Sequence, residues 1–124
     1  LNKDQTVHES REVPCSRYVY MHDFFLTENY YVFILHPAFI NIPEFLLGKK
    51  SFKGCFEWRA EAGNQVMVIP RDATLPVRCY DAPAAWMWHS LNAYEQGHEI
   101  VMDFAGFDDH HKNVLIFHQE HQLF

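Results

Sequence analysis

Apolar and polar positions alternate over short distances along most of the chain. The runs that result are brief and rich in Val, Ile, Tyr, Phe and Trp, which is the pattern of strands rather than of helices. Residues 1–16 are polar and unpatterned, and Pro14 closes them. Beyond them the pattern predicts eight strands, at 17–24, 30–35, 55–60, 65–70, 77–80, 86–95, 99–104 and 113–118. Two connections read as tight hairpins, Glu61-Ala62-Gly63-Asn64 and Gln96-Gly97-His98, each with a glycine free to take positive φ. The strands fall into two groups of about four, so the expected class is all-β. Propeller blades, an open sandwich and a barrel all fit that count.

One interval breaks the pattern. Residues 37–53 carry Phe39, Ile40, Ile42, Phe45, Leu46 and Leu47, followed by Lys49, Lys50 and Lys53. Two readings stand side by side: an apolar loop or short helix packed on a sheet, or an interfacial patch with its lysines at headgroup level. The neighbouring apolar stretch, 30–47, is interrupted by His36, Pro37, Asn41, Pro43 and Glu44, so it cannot be an uninterrupted membrane-spanning helix.

Composition adds two signals. Of 124 residues, 16% are aromatic and 9 are His. The formal charge of −6 argues against a nucleic-acid partner. Three cysteines, Cys15, Cys55 and Cys79, are odd in number and widely spaced, and no signal-like segment precedes them, so a reduced, cytoplasmic chain is expected. The chain starts at Leu1 in polar text, as a piece of a longer protein would.

Candidate chemistry centres on two histidines in aromatic surroundings, His22 and His89. Neither belongs to an HExxH or His-plus-Cys spacing, and a single strand histidine is usually structural. His110, His111, His118 and His121 lie in polar text where a solvated imidazole is the ordinary outcome, and Asp108-Asp109 reads as a turn. No nucleophile-elbow pattern offers hydrolase chemistry. If 17–24 and 86–95 are regular strands, Phe24 shares a face with His22, and Met87 and Leu91 share one with His89, while Trp88 and Ser90 point away.

The string Met21-His22-Asp23-Phe24-Phe25-Leu26-Thr27-Glu28-Asn29-Tyr30 resembles the HDF-x-x-T-x-N-Y segment of the carotenoid cleavage oxygenases. Val68-Ile69-Pro70-Arg71 resembles their IPR strand end, and Trp88-His89-Ser90-Leu91-Asn92-Ala93-Tyr94-Glu95 their H-x-x-N-A-Y/F-E. Ile100-Val101-Met102-Asp103 resembles the strand that follows. These segments, in order, make the chain resemble an internal fragment of that family, with all 124 residues belonging to a single propeller domain.

The resemblance implies about two blades of a seven-bladed β-propeller. It also implies a non-haem Fe(II) held by four histidines from different blades, of which His22 and His89 match two. The other two ligands, and the acidic groups that orient the rings, have no counterpart here; Glu28 and Glu95 are not assigned that role, and His36 and His98 match no ligand motif. The implied reaction is cleavage of a carotenoid or apocarotenoid double bond by molecular oxygen to give carbonyl products, in an apolar substrate tunnel for which alternation makes Phe24 and Met87 better lining candidates than Phe25 and Trp88. The implied membrane-facing patch corresponds to Phe45, Leu46 and Leu47, giving peripheral membrane contact. Two alternatives stand beside it: a stilbene-cleaving member of the same family, or an inactive fragment that binds an apolar ligand or a protein. The fragment by itself is expected to be inactive.

Overall fold

The computed structural model describes residues 4, 6, 7, 10–17, 19–109 and 112–122, the stretch from 108 onward by its backbone alone. His110 and His111 lie outside the described residues, as do the side chains of Asp108, Asp109, His118 and His121. The chain is mostly β. Its strands are β1 (Phe25–Leu26), β2 (Tyr30–Leu35), β3 (Ala38–Ile40), β4 (Phe56–Trp58), β5 (Asn64–Pro70), β6 (Arg78–Ala82), β7 (Trp86–Gln96), β8 (Glu99–Asp109) and β9 (Lys112–Gln122). One short helix, α1 (Ile42–Leu46), follows β3.

The strands form three antiparallel sheets, ordered β1-β2-β5-β6, β3-β4 and β7-β8-β9. Alternation explains why the first and third pack together. In the first sheet Val32 pairs with Val68 and Ile34 with Val66, which puts these branched side chains on one face. That face meets Met87, Ile100, Met102 and Phe104 of the third sheet, with Phe25 closing the seam. Burying a Val, Ile, Met or Phe side chain contributes about 1.5–3 kcal/mol, so this seam fixes how the two sheets sit.

Three local expectations are corrected. Among the described residues, 17–24 do not form a strand: an isolated bridge from Val19 to Phe39 is the pairing present there, and the ladder begins at Phe25. Alternation along 17–24 therefore carries no information about facing. The segment Glu61-Ala62-Gly63-Asn64 is not a hairpin, because β4 pairs with β3 while β5 pairs with β2 and β6. A 3-10 turn at Ala60–Ala62 and Gly63, at φ +58°, instead carry the chain from one sheet to the next. The hairpin at Gly97, φ +62°, forms as expected between β7 and β8.

The departure that matters most is in β7. Its register against β8 shifts twice, between Met87 and His89 and again between Ser90 and Asn92. Met87 pairs with Gly106 and His89 with the adjacent Ala105, leaving Trp88 bulged out of the ladder. A regular strand would put Met87 and His89 on one face; the bulge puts them on opposite faces and aligns His89 with Trp86 instead. Gly106 makes this possible, since a Cβ there would run into the Trp86 carbonyl and crowd the Met87 Cα.

Gly106→Val is accordingly expected to destabilise the protein by about 2 kcal/mol or more, since neither backbone nor bulge can yield without breaking the ladder. Urea unfolding measures this, and an unchanged midpoint would show that the two strands do not approach so closely.

Candidate functional site

The two motif segments that sequence places far apart are brought side by side. His22 lies just before β1 and His89 on β7, and their rings stand 5.2 Å apart, centroid to centroid, at 82°. Both side chains are exposed in this chain. His22 Nδ1 is 2.9 Å from the carbonyl oxygen of Trp88, the bulged residue. A carbonyl can only accept, so Nδ1 carries the proton and the lone pair is left on Nε2. Ring fixation through the second nitrogen is what a metal-ligating imidazole needs. Here a backbone carbonyl supplies it.

Two carboxylates tie the segments together. Asp23, next to His22, accepts from the Ser90 N–H and Ser90 Oγ at 2.8 Å each, and from the Phe24 N–H at 2.8 Å. Glu95 accepts from Thr27 Oγ1 at 2.6 Å, the Asn29 N–H at 2.8 Å and Asn29 Nδ2 at 2.9 Å. The Asp and Thr-x-Asn positions of one motif thus bind the residues just after the histidine, and the glutamate, of the other. Partial desolvation pushes both acids upward, but the donors outweigh it: both are held below their ordinary pKa, Asp23 by Ser90, Phe24 and the nearby His89, and Glu95 by Asn29 and Thr27.

Beside His22 opens a cavity of about 630 Å³, in the size range of small-molecule sites. Its walls are aromatic: Tyr20, Trp58, Trp86, Trp88 and Phe107, with Phe52 and Phe56 alongside and Lys53 as a charged lining residue. Trp86 is the hub, parallel to Tyr20 (6.2 Å, 4°) and in edge contact with Trp88 (5.1 Å) and Trp58 (6.3 Å). Tyr20 and Trp88 connect the cavity to His22, at 6.3 and 5.3 Å.

The expected substrate-lining residues lie elsewhere. Met87 is 1% exposed and belongs to the core seam, because the bulge turned it away from His89. Phe24 stacks on Phe33 at 5.1 Å. Neither is among the cavity's lining residues. Phe45, Leu46 and Leu47 are 44%, 75% and 69% exposed, and α1 buries none of its residues.

Sequence reasoning missed Asp23, Glu95, Thr27 and Asn29 as a set. The available signal was that each lies inside a motif string beside a histidine. It also missed His36, which is 2% exposed; burial pushes its pKa down to about 4, outweighing the opposing hydrogen bonds of Ala85 and Asn64.

The donor set fits part of a metal centre. Imidazole nitrogens sit about 2.0–2.1 Å from a bound divalent ion, and two nearly perpendicular rings 5.2 Å apart are compatible with one shared ion. Among the described residues no third His, Cys, Asp or Glu joins them. No helix of the described residues is long and apolar enough to cross a membrane.

A family model described as retinal pigment epithelial membrane protein matches residues 1–123. The chain is 36% identical over 85 residues to isoeugenol monooxygenase of Pseudomonas putida, covering 68% of this chain and 17% of that protein. It is 30% identical over 105 residues to carotenoid 9,10(9',10')-cleavage dioxygenase of Crocus sativus, covering 82% and 18%. Among solved structures, cobalt-substituted apocarotenoid oxygenase of Synechocystis superposes with a TM-score of 0.68 at 23% identity, over 74% of this chain and 19% of that one. The fold is thus that of the carotenoid oxygenases, which are β-propellers. The chain spans less than a fifth of the length of the curated relatives named here.

Two outcomes are expected from the buried and clamped groups. Glu95→Ala, which strips three donors of a charged acceptor, should cost about 1.5–3 kcal/mol by chemical unfolding. Acid should weaken the fold from near neutrality. The unfolded chain protonates His36 at about pH 6.5 whereas the folded chain resists until about pH 4, so stability is complete above 6.5 and falls between those values. Glu95 has the opposite charge and the same consequence, its contribution fading below its ordinary 4.5. A flat stability profile from pH 7 to 4 would contradict the burial of His36.

Proposed function

The chain belongs to the retinal pigment epithelial membrane protein family of carotenoid oxygenases, and on that premise we propose that it contributes two ligands and part of the substrate cavity of an Fe(II)-dependent dioxygenase that cleaves a conjugated double bond. The observation that carries this reading is the pairing of His22 with His89 across two motif segments, with the His22 Nδ1–H tied to Trp88 and Nε2 left available. In this reading the chain makes about two blades of a seven-bladed propeller. The remaining ligands come from other blades. When bound, the ion supplies the oxygen-activating chemistry by which a double bond is split into two carbonyl products.

The chain's own residues perform positioning. Asp23 and Glu95 set the spacing of the two imidazoles, and Trp88 sets the orientation of one. The aromatic walls from Tyr20 to Phe107 exclude water and hold a flat, conjugated substrate edge-on or face-on beside His22, where a misplacement of 1 Å would carry a large rate penalty. Phe45, Leu46 and Leu47, with Lys49 and Lys50 close by, would dip into a lipid surface from which an apolar substrate is drawn.

The substrate favoured is a carotenoid or apocarotenoid. A phenylpropanoid or stilbene-like substrate is the second reading, favoured by the 36% identity to isoeugenol monooxygenase and by Lys53 lining an otherwise aromatic cavity, where an ammonium suits a phenolic oxygen.

In the full-length protein, His22→Ala and His89→Ala should each abolish double-bond cleavage and lower bound iron at least tenfold by metal analysis. Full iron content and activity in either variant would overturn the assignment. Parallel assays with an apocarotenal and a hydroxystilbene separate the two substrate readings. Replacing Phe45, Leu46 and Leu47 together with Ser should release the protein from liposomes while leaving iron content unchanged; unaltered co-sedimentation would remove the membrane contact.

A further inference from the structure

His36 belongs to neither histidine motif, yet it is among the most buried polar residues described. It follows β2 directly, and its Nδ1–H donates to the carbonyl oxygen of Ala85 at 2.9 Å. Asn64, at the start of β5 and 4% exposed, donates through Nδ2 to the same oxygen, also at 2.9 Å. Two buried donors from two strands therefore converge on one carbonyl, and the residue that follows that carbonyl is Trp86. The His36 ring itself lies against the Trp86 indole, 4.9 Å between centroids and tilted by 32°.

This arrangement holds Trp86 by both its backbone and its ring. Trp86 is the residue through which Tyr20, Trp58 and Trp88 are connected, so displacement of its indole would alter several walls of the cavity together. A core histidine needed only for packing could be satisfied by any buried carbonyl. His36 instead meets the one that opens β7, just before the bulge that aims His89.

We propose that His36 is a positioning residue for substrate: by fixing Trp86 it sets the shape of the aromatic cavity, and with it the affinity and lengthwise register of a flat conjugated ligand. The proposal rests on the reading that this cavity receives the substrate. Its reach is specificity, without contact to the reacting bond or the ion. A leucine in place of His36 fills similar space but cannot donate. An asparagine keeps a donor near the Nδ1 position and gives up part of the ring contact.

The experiment uses the full-length protein stripped of metal, with an apocarotenal and a hydroxystilbene each tried as probe, binding read by quenching of tryptophan fluorescence. Reconstituted protein is then assayed for KM, kcat and product distribution. His36→Leu is expected to weaken probe binding about tenfold and raise KM similarly, with kcat and iron content near wild type and a wider spread of cleavage products. His36→Asn should recover most of the affinity.

Wild-type affinity and product distribution in His36→Leu would overturn the proposal. So would a parallel loss of iron and probe binding, which marks a general structural role, or failure of the wild type to bind either probe. If instead the wild type binds the probe but holds no iron, the proposed dioxygenase function fails while the dependence of binding on His36 still decides this inference.

Discussion

The site depends on one irregularity, the bulge at Trp88. A regular β7 would send Met87 and His89 to the same side and Trp86 to the other, burying either the histidine or the aromatic hub in the seam between the sheets. With one residue left out of the ladder, Met87 fills the core while Trp86 and His89 share the opposite face. The expelled residue is itself used, since its carbonyl meets His22 and its indole walls the cavity. Gly106 is the matching feature on β8, because any side chain there would occupy the space that the displaced β7 backbone takes. A bulge next to a site re-aims a side chain at small cost to pairing, and here it re-aims several at once.

Apolar packing alone would leave the two histidines loosely related, since contacts between hydrophobic faces tolerate sliding. Asp23 and Glu95 remove that freedom. Each is a charged acceptor with three donors, and hydrogen bonds to charged groups contribute about 1.5–3 kcal/mol where neutral ones contribute about 1. Both lie at partly exposed positions, so their desolvation penalty stays below what a buried charge would incur. The balance is visible in their pKa values, lowered despite the upward push of partial burial. Spacing between the imidazoles is thus held by directional bonds placed one residue from His22, one from His89 and six from His89.

Much of the sheet structure was legible because it follows period two. The 30–35 strand, the strand near 65–70 and the β7–β8 hairpin at Gly97 needed only alternation and a turn glycine to be found. What could not be read was whatever breaks the period. Nothing in the text of 86–95 marks Trp88 as the bulged residue, because the cause lies on the partner strand at Gly106, and so Met87 was placed beside His89 when it belongs to the core. The run 17–24 looks like a strand by composition, but Tyr20 lines the cavity and approaches His22, and Phe24 stacks on Phe33 just before the ladder begins. Glu61 to Asn64 has a hairpin's residues and serves as a crossing between sheets, since strand pairing is decided by partners far along the chain. His22 and His89 were legible only through motif resemblance; their mutual approach depends on the sheets packing.

Under the proposed function, a metal site assembled this way would have consequences that a local motif would not. In a helix-borne pair of histidines the spacing is set by the backbone, whereas here it is set by two carboxylate clamps, one bulge and an apolar seam. Loss of any of these would change the spacing of the two imidazoles, so on that proposal metal affinity should respond to substitutions that touch neither of them. The cavity is built by the same logic. Trp86 is fixed from behind by His36 and Asn64 through a single carbonyl, and it stands three residues from His89 on the strand whose bulge aims that histidine. Substrate shape and ligand geometry are therefore set by adjacent stretches of one strand, and under the proposed function the β7 backbone couples them: a change that repositions Trp86 by moving that backbone also moves His89, whereas one confined to the His36 ring contact alters the cavity alone.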